Sequence, residues 1–559
     1  MKSRLSNLFS AKKSCMFCLF LLVGILLRFY NIGWSNPYFF NPDERQNIAY
    51  PILDSHSPFM FDQKNFDTGT FPLIVIKLIY LSVTGLFPHQ FTDHMGLIII
   101  IARSLSALLS FGISVLLYIF AKKMLGEHKA FLAFVLSLCS VGFIQFAHFG
   151  TIEVWEAFFS LLLCHLCWQI QHHATLRISF LTGIIFGLSV ATKILSAVLL
   201  PVIIICFALD LYHSSKKKLF LNSLENVFVF ICISIAVCIT VSPQILLNFP
   251  AFYASIHFES TVALGTLPVF YTQEFYNTTP FLFQLLHIYP FLLNPFLMLL
   301  LPVSVLYGLY AAVTRKNSAL FIISAFFLLL FVFQSYVFVK WTRYVVPTLP
   351  FAYLLIASFF DDLLSWTHPE KWMRFTLLSI PIAVSLLYAS AFVITVYATP
   401  DTRIVASQWA KDTVSPSAAI LSEPYDIGFM PFTAYFPSVT IVDFYTVDQD
   451  QSVQEKLIET LPNTDYVMLP SQRILKIRLL NPEQFPISGK FYTDLLNGSL
   501  GFTKVYETVC NSLCKLVYLG DPVFSYEETA SVFDRPEVFI FKKTRLLSKD
   551  DYQQLLGVH

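Results

Sequence analysis

Charge is what this sequence has least of. Only 13% of its 559 residues are Asp, Glu, Lys or Arg, while 56% are hydrophobic. A soluble chain of this size could not cover its surface with so little charge, so the composition points to a polytopic membrane protein. No basic domain exists to neutralise phosphates, which excludes nucleic acid as a partner. The 19 glycines include no phosphate-binding loop, which argues against an ATP-driven pump and a nucleotide-sugar enzyme. No His-x-x-x-His pair or cysteine cluster suggests zinc, so no metal ligand is assigned and no cofactor is expected. Neither an internal repeat nor a low-complexity tract is present. The basic N-terminus (Lys2, Arg4, Lys12, Lys13) leads into an apolar run with no small-residue cleavage site, which reads as a retained signal anchor. Most of the ten cysteines lie inside apolar segments and act as small hydrophobes. Cys510 and Cys514 lie in polar surroundings and would pair if that region is outside the cytosol.

What is present is a series of long apolar runs. Segments of about 20 residues, enough to span, fall near 15–33, 96–121, 129–148, 153–170, 176–192, 194–212, 224–247, 290–312, 318–338, 344–362 and 374–397. That gives about eleven transmembrane helices, with a break expected at Lys193. The shorter run 71–87 carries Lys77 between Pro72 and Pro88 and reads as an interfacial helix. With the N-terminus cytoplasmic, Lys122-Lys123, Arg177, Lys216-Lys217-Lys218, Arg315-Lys316 and Lys371 with Arg374 all fall in inside loops, as positive charge should. Outward loops then lie near 34–95, 148–153 and 248–289. After residue 399 charge and proline rise. β-like runs appear at 419–421, 439–442, 466–469 and 538–541, with a helix expected over 449–460. We therefore expect a transmembrane domain over 1–399 and a small extracytoplasmic α/β domain over 400–559.

The loops hold the candidate chemistry. Asn41-Pro42-Asp43-Glu44 opens a short helix in the first loop, with Asn41 as cap and Pro42 at its first position. Two adjacent acids at a membrane boundary are costly unless they face a polar cavity. Glu153 opens a helix at the second loop, with Glu156 one turn on. A carboxylate can take a proton from an attacking hydroxyl, and a second can orient that hydroxyl. Cations occur on the same side: Arg103 roughly two turns inside the outer end of its span, and Lys193, Lys340 and Arg343 at the boundary. Each alone could snorkel to headgroups. Together, opposite acids, they suggest an anionic ligand at the bilayer surface, such as a lipid phosphate, with Arg343 and Lys340 as its clamp. His148 is read as a structural loop histidine.

Several short motifs in this order resemble glycosyltransferase family 39, the membrane family of protein mannosyltransferases and aminoarabinose transferases with the C-type glycosyltransferase fold. They are Pro42-Asp43-Glu44, His148-Phe149-Gly150-Thr151-Ile152-Glu153, Ala191-Thr192-Lys193 and Lys340-Trp341-Thr342-Arg343-Tyr344. Asp401-Thr402-Arg403 with Trp409, and Asp534-Arg535-Pro536-Glu537, resemble the ends of the outer domain in bacterial and archaeal members. The resemblance implies a sugar donor on a polyprenyl phosphate, a lipid, glycan or protein acceptor, and inversion at the anomeric carbon. It also implies Asp43 as catalytic base, Glu44 as its support or as a ligand of donor or acceptor, Glu153 as a further catalytic acid, and Arg103, Lys193, Lys340, Arg343 and Tyr344 around the donor phosphate. Tyr271 and Glu274, in the third loop, are the acceptor-side candidates. Glu153 stands where relatives often carry aspartate. The oligosaccharyltransferase branch uses a divalent metal held by several acids, and its acceptor-binding signature is not evident here, so metal dependence is left open. A bacterial or archaeal plasma membrane is the favoured setting. The rival readings are a secondary transporter, whose acids should lie near mid-membrane, and a lipid-binding assembly protein in which the acids are dispensable.

Overall fold

A computed structural model describes residues 2–64, 66–215 and 220–558, with side chains described over 15–64, 66–212 and 220–558. Lys2, Arg4, Lys12, Lys13 and the loop Lys216-Lys217-Lys218 therefore lie outside the described side chains. The chain folds as two units. The first comprises the chain up to Gly33, Asn41–Thr266 and Thr279–Ser390, and the second comprises Trp34–Phe40, Leu267–Thr278 and the chain from Ala391.

The first unit is helical throughout. Among the described residues seven helices are long and apolar enough to cross a membrane: His94–Met124, Ile194–Tyr212, Phe220–Val241, Pro295–Thr314, Ser318–Tyr336, Thr342–Trp366 and Lys371–Val396. The pair Glu127–Leu138 and Val141–His148, bent by 48°, makes an eighth. Of the other expected spans, Glu153–His173 carries two glutamates in its first turn. Leu176–Thr192 and the apolar part of the first helix, Cys15–Phe29, are shorter than the rest. The run near 71–87 is a helix, Thr70–Leu86, whose Lys77 ammonium donates to the Ser55 carbonyl at 2.6 Å.

The bent pair shows how apolar helices keep their ends satisfied. The last carbonyls of a helix have no partner of their own. Here the guanidinium of Arg28, wholly buried, donates to the Ser137 carbonyl at 3.0 Å, the Leu138 carbonyl at 2.9 Å and the Ser110 hydroxyl at 2.8 Å. Ser140 restarts the chain by accepting the Phe143 amide. His148 closes this helix, its two ring nitrogens each 2.8 Å from a carbonyl, of Ile144 and of Tyr30.

The second unit is a five-stranded sheet with helices around it. Its strands are β1 (Ile420–Ser422), β2 (Val439–Ile441), β3 (Tyr466–Leu469), β4 (Phe502–Glu507) and β5 (Phe539–Lys543), in the order β2-β1-β3-β5-β4. β1 pairs parallel with both β2 and β3, while β5 runs antiparallel between β3 and β4. Side chains alternate across a strand, so Leu421, Val467, Leu469 and Phe541 enter one core cluster and Ile420, Tyr466, Met468 and Ile540 the other. The four β-like runs read in the sequence are strands, and 449–460 contains the helix Gln451–Thr460. β4 went unread because it is an edge strand, mostly exposed in its middle, with Lys504 and Glu507 on it. The boundary read at 399/400 also has a more complex counterpart. Trp34–Phe40 and Leu267–Thr278 join this unit through ring contacts, Trp34 on Tyr397, Phe40 under Arg403 and Phe270 against Tyr425. Cys510 and Cys514 are disulfide-bonded.

Candidate functional site

The site in the first unit is built on the start of one short helix. Asn41 Oδ1 accepts the Asp43 amide at 3.0 Å, fixing the turn. The helix then widens into a π-turn over Glu44–Ala49, a distortion common where a side chain must be re-aimed. Its effect is to send the two acids to different partners.

Glu44 turns inward. It is wholly buried and accepts two bonds from Arg103, at 2.7 and 2.6 Å, and the Gly150 amide at 2.6 Å. Arg103 also donates to the Ile32 carbonyl at 3.0 Å. A Cβ at position 150 would meet Ala102 Cβ at 2.8 Å, so glycine is needed for this close approach. The Gly150 amide thus pins the second loop to the first, and one bidentate pair ties the first loop to the helix His94–Met124. The sequence reading gave Arg103 to a donor phosphate and Glu44 to catalysis; the structure spends each on the other.

Asp43 stays at the surface. Its carboxylate accepts from Arg343, and both side chains are 22% exposed. The Arg343 guanidinium lies over the rings of Trp341, at 4.3 Å, and Tyr344, at 5.7 Å. Tyr344 also carries Lys193 on its ring, at 4.8 Å, and Lys193 reaches Glu156 at 3.3 Å. Lys193 can do this because the chain breaks there, with an extended residue between the helix Leu176–Thr192 and the tight turn Ile194–Leu199. Asp43, Arg343, Tyr344, Lys193 and Glu156 therefore form one connected set. Glu153 is buried, and its Oε2 has no hydrogen-bond partner. Lys340 is not part of the Asp43–Arg343 pair. Its ammonium donates to the Phe338 carbonyl at 2.9 Å, and burial pushes it down to about 8.

Two acids join this set that the sequence reading did not single out, Asp67 and Glu259. The two carboxyls share a hydrogen bond, and Glu259 feels both Arg343 and Lys193. The loop carrying Asp67 is strapped in place. The Gly69 amide donates to the Thr192 carbonyl at 3.0 Å, the Phe66 amide to Ser255 at 3.3 Å, and Gln244 to the Met60 carbonyl at 2.7 Å. A Cβ on Gly69 would collide with the carbonyl oxygens of Ala191 and Thr192. The available signal was a lone acid in the otherwise apolar helix Phe249–Leu264, which is costly without a partner.

Burial first, then Asp67 beside it, pushes the Glu259 carboxyl up from 4.5 to about 7. Two neighbouring carboxyls resist ionising together. A raised acid pKa means the folded protein holds a proton that the unfolded chain has lost. Stability from this group is therefore lost as pH rises from 4.5 through about 7. Glu259→Gln should gain stability relative to the parent across that range, as thermal unfolding in detergent would show. A constant difference at all pH values would deny the raised carboxyl.

Tyr271 and Glu274 belong to the second unit. Glu274 is buried, bonded to Lys476 at 2.6 Å and to the Glu528 amide at 3.3 Å. Tyr271 packs edge-on against Phe270.

Among the described residues no three His, Cys, Asp or Glu side chains gather as a metal-binding group. Asp43, Glu44 and Glu156 each face a guanidinium or ammonium instead. Asp67 is bonded to Glu259, which leaves Glu153 Oε2 without a partner among these acids.

No protein-family model matches the chain, and no curated protein matches it. It is similar in fold to three solved structures among others. An oligosaccharyltransferase from Archaeoglobus fulgidus, in complex with Zn and sulfate, is 12% identical with a TM-score of 0.47, covering 94% of this chain and 88% of that one. AglB from the same organism, with an inhibitory peptide and a dolichol-phosphate, is 12% identical with a TM-score of 0.46 and the same coverage, 94% and 88%. ArnT from Cupriavidus metallidurans, bound to undecaprenyl phosphate, is 13% identical with a TM-score of 0.43, covering 82% and 93%. A likeness at this level assigns no role to any residue.

Proposed function

We propose that this chain is a membrane glycosyltransferase that moves a sugar from a polyprenyl-phosphate carrier to a hydroxyl acceptor on the non-cytoplasmic face. The observation that carries the reading is the half-open Asp43–Arg343 pair, joined through Tyr344 to Lys193. A carboxylate and two cations in one accessible set are the parts this transfer needs. The carrier phosphate docks on Arg343 and Lys193 and draws the guanidinium away from Asp43. Asp43 then takes the proton of the acceptor hydroxyl. The acceptor oxygen attacks the anomeric carbon from the face opposite the phosphate. The carbon–oxygen bond to phosphate breaks, its electron pair leaves with the phosphate, and the cations neutralise that charge. The configuration inverts. Glu44 and Arg103 act by position, holding the π-turn that aims Asp43. No step requires a metal.

The non-cytoplasmic assignment rests on two supports. Lys and Arg concentrate in the opposite set of loops. A disulfide between Cys510 and Cys514 also suits an oxidising compartment.

Arg343→Ala tests the docking step. Native mass spectrometry of the purified protein with undecaprenyl phosphate should show a lipid adduct in the parent and at least about tenfold weaker binding in the variant, the scale of one lost charge-assisted contact. Equal binding would move the phosphate elsewhere.

A further inference from the structure

The second unit carries a separate site. In the order β2-β1-β3 the chain leaves β1 to one side and returns on the other, with all three strands parallel. That is a topological switch point, and in open α/β sheets ligands bind in the crevice outside the strand ends there. The residues just past β1 and β3 supply its polar groups. Asp426 faces Arg473 at 3.2 Å, and Arg473 faces Glu528 at 3.0 Å. Glu423 accepts from the Tyr492 hydroxyl at 2.5 Å. Tyr445, which follows β2, sits among Asp426, Glu423, Arg473 and Glu528.

Three buried atoms in this cluster lack a hydrogen-bond partner, one of them Arg473 Nε, which has only its ion-pair contact to Glu528. Tyr445 is 3% exposed and its hydroxyl makes no hydrogen bond. Arg478 is wholly buried and its Nη1 makes none either. An unmade bond on a buried polar group is expensive and calls for an explanation. Beside them lies an aromatic shelf. The Tyr425 ring is 51% exposed and stacks on Phe270 at 4.2 Å and 7°. Phe270 in turn lies 4.9 Å from Tyr445. Tyr425 adopts φ 63°, ψ −75°, a strained turn geometry for a residue with a side chain.

The chemistry narrows the ligand. Arg473 faces two acids and Lys476 faces Glu274, and Arg478, held on the Phe444 carbonyl, has Nη1 alone to offer, one donor rather than the fork that binds a phosphate or carboxylate. Glu423 is bonded to the Tyr492 hydroxyl and burial pushes it up to about 8, so it does not attract a cation at neutral pH. What remains is a neutral molecule with hydroxyls on its edge and an apolar C–H face for the ring shelf. We infer that the crevice of the α/β unit is a saccharide-binding site, with Tyr425 as the stacking platform and the Tyr445 hydroxyl and Arg478 as hydrogen-bonding groups. It holds whether or not the first unit transfers sugar.

Saturation-transfer NMR on the full-length protein tests this, in a detergent without a sugar headgroup. The probes are the methyl glycosides of mannose, glucose and N-acetylglucosamine. The expected result is saturation on the ring C–H protons of at least one probe. That binding should weaken about tenfold or more in Tyr445→Phe and in Tyr425→Ala, and persist in Asp43→Asn. Tyr445→Phe should melt at or above the parent temperature, because the hydroxyl it removes is unpaired. No transfer to any probe, equal binding in both tyrosine variants, loss in Asp43→Asn, or a lower melting temperature for Tyr445→Phe would each overturn the site.

Discussion

Arg103→Leu is expected to destabilise the protein by about 3–5 kcal/mol, the scale of a broken buried ion pair. The variant leaves the Glu44 carboxylate sealed from water with the Gly150 amide as its one remaining partner among the bonds it makes here. Glu44→Gln should cost less, since the amide oxygen can still accept from Gly150. The double variant Glu44→Gln/Arg103→Leu should be more stable than Arg103→Leu alone, because it buries no unpaired charge. Thermal unfolding of the set in detergent reads all three. The opposite pattern, normal stability in Arg103→Leu with lost lipid binding, would return Arg103 to the donor phosphate.

Asp43→Asn is expected to lower transfer by about 10²–10⁴-fold, the contribution of a positioned general base, while leaving the melting temperature close to the parent's. Asp43 is partly exposed and pairs with a partly exposed arginine, and such pairs add little to stability. The contrast with Glu44, its neighbour in sequence, is the sharpest consequence of the π-turn. In the proposed function one acid carries the fold and the other the reaction. Substitution should separate them cleanly, stability in one case and turnover in the other.

Much of this was legible in the chain. Apolar length marked the spans, and Asn41-Pro42 marked the helix start that presents Asp43. Alternating apolar runs marked four of the five strands. Lys193 announced its break by standing between two apolar segments. The pairings were not legible, because nothing local distinguishes a cation that will meet a phosphate from one that will meet a carboxylate. Arg103 and Arg343 looked alike as cations on the same side, yet the first finds Glu44 in the interior and the second finds Asp43 near the surface. Glu274 looked like an acceptor ligand in an open loop, whereas it is committed to Lys476, some two hundred residues on. Glu259 escaped because its partner Asp67 lies in a different loop and the two meet only once that loop is strapped at Gly69.

The central claim, that Asp43 and Arg343 serve transfer from a lipid phosphate, is tested most directly by turnover. Purified protein would be given labelled polyprenyl-phosphate sugars, with Asp43→Asn alongside and a chelator present throughout. The account predicts transfer or release of label from one donor despite the chelator, lost in the variant, with both proteins folded. Turnover unchanged in Asp43→Asn, or turnover that requires a divalent cation, would contradict it.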